Sequence, residues 1–469
     1  MTHMVGIDAL RAQLTGRVID KSDRNYDIAC AVWNAEINRK PAVIAQCTGP
    51  SDVAAAIAFG RDRGMAISVR GGGHGCGQAV VPHGGMVIDL GELRGVSVDP
   101  GSRRAWCGGG ATIADLDAAT QRHGLAVTGG PISHTGVGGL TLGGGFGWLV
   151  RKAGLTMDNL LSAELVTADG RTLGVSADEY ADLFWALRGG GGNVGVVTGF
   201  EFRLHEIGPL VYLGLFFWGL EQGGEALRLA RDVAASLPRD AGLLVTAGMA
   251  APAAPFVPAR FRGRPGYAVM LAGFGSAQQH AALIMPIRDA LPPLFEFVTP
   301  LPYVELQKIL DDSTPWGIHA YEKSVCLREL SDAAIAVLTD HIPRKNSLMS
   351  FVPIFTLGGA FAAVGDQDTA FGSSRATQFV VTMAAMAPNA ALLAADRDWT
   401  RSLWQALIPH AGDTGGYLNV MADDDPDRGQ GGHGPDKYQR LARIKAHYDP
   451  DNVFALNANI KPAPPRQPD

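Results

Sequence analysis

The sequence contains few charged residues, few cysteines and no long apolar run. Charged residues make up 18% of the 469 positions and the formal net charge is −6, which argues against nucleic acid or an anionic membrane as a partner. The cysteines lack the spacing of a zinc site, so we expect no bound metal. No uncharged apolar stretch reaches the roughly 18 residues that a membrane-spanning helix needs.

The first residues lack the basic and apolar regions of a signal peptide, so we expect a cytoplasmic protein. Nothing in the sequence decides between a monomer and a homodimer. The acidic run 423–427 is interpreted as a solvated loop rather than a metal site.

Glycine, by contrast, is abundant and clustered. The 60 glycines concentrate at 71–77, 108–110, 129–147 and 189–195. Each cluster adjoins a strand-like apolar segment, which predicts tight loops on a packed scaffold and not a flexible linker. Backbone N–H groups in such loops can approach a large cofactor closely.

The most informative cluster is Arg70-Gly-Gly-Gly-His74, which follows the strand-like segment 65–69. The glycines allow backbone amides to approach a phosphate or a ring, and Arg70 adds a fork of charged donors. Taken alone, the motif is more typical of a glycine-rich surface turn that carries an incidental histidine.

The order of predicted elements indicates an α+β fold. Short strands and helices fill the first 205 residues or so, with Thr112 as the N-cap of a helix and Asp169-Gly170 as a hairpin turn. From about residue 206, longer strands at 241–249, 266–274, 348–357 and 377–386 alternate with helices. This pattern predicts an antiparallel sheet covered by helices on one face.

Several motifs occur in a fixed order and together resemble the berberine bridge enzyme-like FAD-linked oxidases, whose flavin domain is of the PCMH or vanillyl-alcohol-oxidase type. The bacterial branch with a single flavin tether, which includes 6-hydroxy-D-nicotine oxidase and polyketide-pathway flavoenzymes, looks most similar. The resemblance covers residues 25–462 and is carried by 70–74, 136–147 with 151–155, 182–198, 417–419 and 448–454.

The resemblance implies a two-part FAD-binding domain and a cap. Residues 1–205 would form the FAD-binding domain (core about 37–209), 206–410 the substrate-binding cap, and 411–469 a segment that returns to the FAD domain. It also implies FAD bound covalently through His74. Doubly tethered relatives carry a cysteine where this chain has Ile132, so we expect a single histidyl link.

The same resemblance assigns residues to the cofactor, with Val197 at the adenine end. The expected cofactor-binding residues are Arg70, Gly71, Gly72, Gly73, His74, Gly75, Gly77, Gln78, Gly129, Gly130, Ser133, His134, Thr135, Gly138, Gly139, Gly143, Gly195, Val197, Tyr417 and Asn419.

Catalytic residues are harder to assign, because Val420 stands where many relatives carry a tyrosine base. Tyr417 and Asn419 would share one face of a strand and point towards the flavin. Tyr321 and Lys323 would share a face if their segment is a strand. Thr135 lies where the family adjusts access of O2.

The leading hypothesis is an oxidase that acts on a small, largely apolar alcohol, amine or polyketide-like substrate, with hydride transfer to flavin N5 and O2 as acceptor. The alternative is a flavoprotein that catalyses an oxidative rearrangement, a cyclisation or a non-redox reaction. A nicotinamide-dependent dehydrogenase is disfavoured because the sequence lacks a G-x-G-x-x-G turn in a βαβ unit.

Overall fold

The structure is a computed structural model that describes residues 4–412, 417–420 and 432–465. The acidic run 423–427 lies outside these residues. Within them, no helix has the length and apolar character to cross a bilayer.

The described part of the chain contains thirteen α-helices. They are α1 Met4–Gln13, α2 Tyr26–Cys30, α3 Pro50–Asp62, α4 Ile113–Thr120, α5 Val137–Leu142, α6 Val150–Ala153, α7 Ala181–Leu187, α8 Gly223–Ser236, α9 Ala277–Ala290, α10 Tyr303–Gln307, α11 Asp332–His341, α12 Ala390–Leu407 and α13 Pro435–Tyr448.

The strands of the described residues fall into four sheets. They are β1 Arg17–Asp20, β2 Val43–Gln46, β3 Ile67–Arg70, β4 Met86–Asp89, β5 Val96–Asp99, β6 Arg104–Gly108, β7 Leu125–Ala126, β8 Leu160–Val166, β9 Thr172–Ser176, β10 Val196–Arg203, β11 His205–Glu206, β12 Leu210–Gly219, β13 Ala241–Ala250, β14 Pro265–Gly273, β15 Phe295–Pro302, β16 His319–Leu327, β17 Val352–Thr356 and β18 Phe379–Ala387.

Two small sheets organise the first 205 residues, with strand orders β1-β2-β4-β3 and β5-β6-β10-β8-β9. The local predictions hold here. Thr112 caps α4 through a capping box in which its side chain accepts a hydrogen bond from the backbone N–H of Asp115. Gly170 turns the chain between β8 and β9 with φ of 86°, a conformation that glycine adopts without strain.

The second part is a seven-stranded sheet of order β15-β12-β14-β13-β17-β18-β16, and every described strand pair in it is antiparallel. Residues of α8, α9, α11 and α12 pack on one face with alternate strand residues such as Val245. The other face, which includes Leu244 and Val380, packs on Phe146 and Leu149 of the first part. The expected α+β fold with a helix-covered antiparallel sheet is confirmed.

Two strands of this sheet, β15 and β16, were not recognised as strands from the sequence. Both are edge strands. An edge strand tolerates prolines and charged side chains, because one side of its backbone needs no partner. Accordingly β15 carries Pro300 and Pro302, and β16 carries Glu322 and Lys323, residue types that weaken the strand signal of both segments.

The C-terminal helix α13 is fixed to the first part by a buried ion pair. Lys445 donates to Asp449 over 2.5 Å, and both side chains are fully buried. The Lys445 ammonium also donates to the carbonyl oxygens of Asn193 and Phe454. This network holds the segment after α13 against the glycine-rich loop at 189–195.

We predict that Asp449→Ala lowers the free energy of unfolding by about 3–5 kcal/mol, because it leaves the Lys445 ammonium buried without a counter-charge. The exposed pair Arg440–Asp182 provides the control, and Asp182→Ala should cost less than about 1 kcal/mol. Urea unfolding of both variants checks this, and equal losses would contradict it.

Candidate functional site

The glycine loops surround one long cavity of about 620 Å³. Four chain segments provide most of its wall, and they come from distant parts of the sequence. They are residues 69–77 after β3, residues 135–143 around α5, residues 190–197 before β10, and residues 455–461 after α13, joined by Leu418 and Asn419.

Two of these loops touch backbone to backbone. A Cβ on Gly72 would lie 2.3 Å from the backbone nitrogen of Gly136, and a Cβ on Gly136 would lie 2.3 Å from that of Gly72. A Cβ on Gly138 would lie 2.9 Å from the carbonyl oxygen of Gly109. Only glycine permits these contacts, so the glycine clusters shape the cavity wall itself.

His74 lies on this wall inside an aromatic cluster. Its ring stacks on Trp33 with centroids 5.0 Å apart, and Trp316 meets it edge-on at 5.9 Å. Its Nε2 is 2.6 Å from Nδ1 of His134. Trp316 belongs to the cap segment before β16, so residues of both parts of the molecule enclose His74.

The electrostatics of this pair favour neutral rings. Burial, together with the neighbouring His134, lowers the pKa of His74 to about 3. Burial also lowers the pKa of His134, whereas the charge of Asp311 acts in the opposite direction. A neutral imidazole keeps a lone pair on one of its two ring nitrogens. The neutral ring is therefore the form that can act as a nucleophile.

Arg70 differs from the sequence-based expectation. Its guanidinium donates to Asp89 over 2.7 Å and to the carbonyl oxygen of Ala29 over 2.5 Å. Arg70 therefore lines the cavity with a charge that Asp89 already balances. Gln78, also expected at the cofactor, donates to the carbonyl oxygen of Glu36 instead and does not contribute to the cavity wall.

Most of the expected cofactor-binding residues line the cavity. Six do not: Gln78 donates to Glu36, His134 contacts His74, Tyr417 is buried beside the second glycine loop, and Gly129, Gly130 and Ser133 do not contribute to the wall. The prediction also missed cavity residues that belong to motifs already noted in the sequence. These are Gly190, Gly191, Gly192 and Asn193 of the third motif, and Ala455, Leu456, Asn457, Ala458, Asn459 and Lys461 after the last.

Tyr417 and Asn419 contact each other, although not on a strand, because residues 418–420 form a 3₁₀ turn. The Tyr417 hydroxyl accepts hydrogen bonds from the Gly145 N–H at 2.9 Å and from the Asn419 amide at 2.7 Å. Burial raises the pKa of Tyr417, so the phenol stays protonated. Tyr417 therefore ties the C-terminal segment to the second glycine loop, while Asn419 lines the cavity.

Tyr321 and Lys323 do share one face of β16, as expected, but this face is turned towards the helices. Arg401 of α12 donates to the Tyr321 hydroxyl at 3.1 Å, and the Lys323 ammonium lies 4.1 Å from the ring centre of Trp404. Because α12 covers both side chains, the prediction that these two residues act in catalysis is wrong.

The residue between them, Glu322, points to the other face. Its carboxylate accepts a hydrogen bond from the thiol of Cys76 at 3.1 Å, and Cys76 lines the cavity. Burial raises the pKa of Glu322, and the hydrogen bond from Cys76 opposes the shift. The alternation of side chains along β16 could have identified Glu322. Tyr321 and Lys323 lie on the same face of the strand as the apolar Val325 and Leu327, so Glu322 must lie on the opposite face.

Two further expectations concern the loop 129–135. Ile132 packs against the apolar cluster between the two parts, and no sulfur occupies its position. Thr135 lines the cavity, while its backbone N–H closes a turn with Ile132 and its carbonyl accepts from Ile113.

The residues around the cavity fit FAD. Gly139 leaves open space where a side chain would stand, and it lies on the wall. The side-chain oxygen of Asn459 is buried, and Asn459 lines the same cavity; among the residues that the structure describes, this oxygen has no hydrogen-bond partner. A long polar and aromatic ligand that meets backbone amides and a few polar side chains matches such a site.

Comparison with known proteins agrees with this fit. Residues 41–176 match the family described as FAD binding domain, and residues 416–461 match the family described as berberine and berberine-like. An FAD-linked oxidoreductase of Dictyostelium discoideum is 29% identical over 92% of this chain and 91% of its own length. The (R)-6-hydroxynicotine oxidase of Paenarthrobacter nicotinovorans is 38% identical, over 44% of this chain and 45% of its own length.

Solved structures extend the similarity over the whole fold. The 6-hydroxy-D-nicotine oxidase of Arthrobacter nicotinovorans superimposes with a TM-score of 0.81 at 26% identity, covering 96% of this chain and 98% of that one. A chitooligosaccharide oxidase shares the fold with a TM-score of 0.84 at 21% identity, covering 98% of this chain and 100% of that one.

Together with the cavity, these similarities identify the chain as an FAD-linked oxidoreductase. It is berberine bridge enzyme-like, and it resembles 6-hydroxy-D-nicotine oxidase and the FAD-linked oxidoreductases of fungal secondary metabolism.

Gly139→Leu should fold normally but bind FAD at least about tenfold more weakly, because its side chain would fill open space on the cavity wall. Gly174→Leu is the matched control, since Gly174 also borders open space and lies on β9 away from the cavity. Flavin absorbance per chain and the melting temperature report the two effects. Full flavin content in Gly139→Leu would contradict the assignment of the cavity.

Proposed function

We propose that this chain is an oxidase with FAD tethered covalently through His74, which oxidises a small, largely apolar alcohol or amine and passes the electrons to O2. The observation that carries the proposal is the position of His74, a half-buried imidazole with a lowered pKa on the wall of the glycine-lined cavity. FAD bound there would supply a two-electron acceptor at N5 of its ring, which O2 reoxidises to release H2O2.

We expect a single tether because no cysteine sulfur lies at position 132, where doubly tethered relatives carry one. Ile132 cannot form a thioether bond, and the Cys76 thiol donates to Glu322. His74 is thus the nucleophile best placed for a covalent link, and no second link is proposed.

The proton that leaves the substrate requires a base, and we assign this role to Glu322. Its carboxylate, on the cap sheet, accepts the hydrogen bond of Cys76, and Cys76 lines the cavity with its sulfur 3.6 Å from the Asn419 carbonyl oxygen. A carboxylate whose pKa is raised by burial is a stronger base than an exposed one. It would accept the proton of a substrate hydroxyl or ammonium group as the adjacent C–H bond is oxidised.

The sheet face around Glu322 favours an apolar substrate. Its neighbour across the strand pair is Ala384, which pairs in turn with Phe351 through an isolated bridge. Both pack in one apolar cluster with Trp33 and Met386. A substrate with one polar group and an apolar body would complement this surface.

Acid precipitation tests the tether. The wild-type pellet should stay yellow, whereas His74→Ala should release all of its flavin to the supernatant. The control is His123→Ala, because His123 is exposed and lies away from the cavity. A colourless wild-type pellet would refute the covalent link, although not the binding of FAD.

Glu322→Gln should lower kcat by about 10²-fold to 10⁴-fold, the usual contribution of a general base. In the wild type, activity should fall as acid protonates Glu322, at a pH above the ordinary glutamate range because burial raises its pKa. This acid limb should disappear in Glu322→Gln. Anaerobic flavin bleaching by a panel of amines and alcohols measures the rate.

Tyr321→Phe is the control for this variant. It lies next to Glu322 on β16, but its hydroxyl faces Arg401, so its kcat and pH profile should match those of the wild type. If Tyr321→Phe loses activity and Glu322→Gln keeps it, the assignment of the base is wrong.

A further inference from the structure

We propose that His134 is the proton acceptor that allows His74 to attach the flavin. This inference rests on the proposed tether at His74. It goes further by naming a positioning residue that acts through His74 on the attachment reaction and not on substrate oxidation.

The geometry of the two rings is the starting point. His74 Nε2 and His134 Nδ1 are 2.6 Å apart, which is hydrogen-bond distance, and the rings are tilted by 37° with centroids 4.7 Å apart. One of the two facing nitrogens therefore carries a hydrogen and the other accepts it.

Only one of the two arrangements leaves His74 reactive. If His74 donates from Nε2, its Nδ1 keeps a lone pair that can attack carbon. If His134 donates instead, Nε2 of His74 uses its lone pair in the hydrogen bond and Nδ1 carries the proton. An acceptor nitrogen on His134 therefore selects the nucleophilic tautomer of His74.

Attachment also leaves a proton that must move. Once Nδ1 bonds to carbon while Nε2 keeps its hydrogen, the ring of His74 is a cation. Its stacking partner Trp33 and the edge of Trp316 offer no counter-charge, and burial already disfavours charge at this ring. Transfer of the Nε2 proton to His134 restores a neutral ring.

The environment of His134 suits it to take this proton. His134 is only partly buried, and the charge of Asp311 favours its protonated form. Asp311 accepts hydrogen bonds from the backbone N–H and the hydroxyl of Ser133 at 2.9 and 2.5 Å. Asp311 of the cap thus has two effects. It fixes the loop that carries His134, and its negative charge favours a proton on His134.

The overall reaction balances with O2 as the oxidant. One bond forms between Nδ1 of His74 and the 8α carbon of FAD. One hydrogen leaves that carbon and one leaves the imidazole, and the electron pair passes through the ring system to O2. The products are the linked FAD and H2O2, so the chain gains the mass of FAD less two hydrogens.

The test is the rate of covalent attachment in a chain prepared without flavin and then mixed with FAD in air. Denatured samples taken over time are read by in-gel flavin fluorescence and by intact mass. We expect His134→Ala to bind FAD reversibly but to attach it at least about 10²-fold more slowly. Added imidazole should restore much of the rate by occupying the space that the missing ring leaves.

A pH profile separates a proton acceptor from a structural support. The wild-type rate should fall as acid protonates His134, whose pKa lies below its usual value, while His74 stays neutral down to about pH 3. The groups facing His134 are His74 and, through the Ser133 turn, Asp311. His134→Ala should lack this acid limb.

His134→Asn adds a second variant, because its amide can accept the hydrogen bond but not the proton. It should bind FAD and attach it slowly, without the acid limb. The control for the loss of a buried histidine is His280→Ala, since His280 lies in the cap against Tyr212.

The outcomes separate the two proposals. Wild-type attachment rates in both His134→Ala and His134→Asn would overturn the role of His134 and leave the tether intact. Fast attachment in His134→Asn alone would also overturn it, because a hydrogen bond without a base would then suffice. A wild-type chain that never binds FAD covalently would overturn the tether and this inference together.

Discussion

The close approach of two glycine loops is the constraint on which the site depends. Gly72 and Gly136 meet backbone to backbone, and a Cβ on either would lie 2.3 Å from a backbone nitrogen of the other. This contact joins the loop that carries His74 to the loop that carries His134. The same two glycines therefore shape the cavity wall and bring the two histidines within hydrogen-bond distance.

The cap completes what the glycine loops begin. Trp316 covers His74, Asp311 holds the loop of His134 through Ser133, and Glu322 reaches Cys76 from the edge strand β16. Each of these residues belongs to the segment 311–322 of the cap. One short stretch of sequence thus brings negative charge, an aromatic cover and the proposed base to a cofactor site that another part of the chain forms.

The sequence could predict the fold class and the helix-covered sheet, because periodicity is a local signal, and the glycine clusters together with the family resemblance predicted most of the cavity wall. It failed where the decisive information was not local. The sequence left open whether the segment of β16 is a strand, so Tyr321 and Lys323 were considered and Glu322 was overlooked. Arg70 lines the cavity as expected, but Asp89 on the neighbouring strand already pairs with its charge. The contact of His134 with His74 depends on two loops meeting in space.

The central claim is that His74 carries the flavin. Proteolysis of the holoenzyme followed by mass spectrometry of the peptide that contains residues 70–78 tests it most directly. We predict that this peptide carries the mass of FAD less two hydrogens, with fragment ions that place it on His74. An unmodified peptide, or fragment ions that place the flavin on Cys76, would contradict the account.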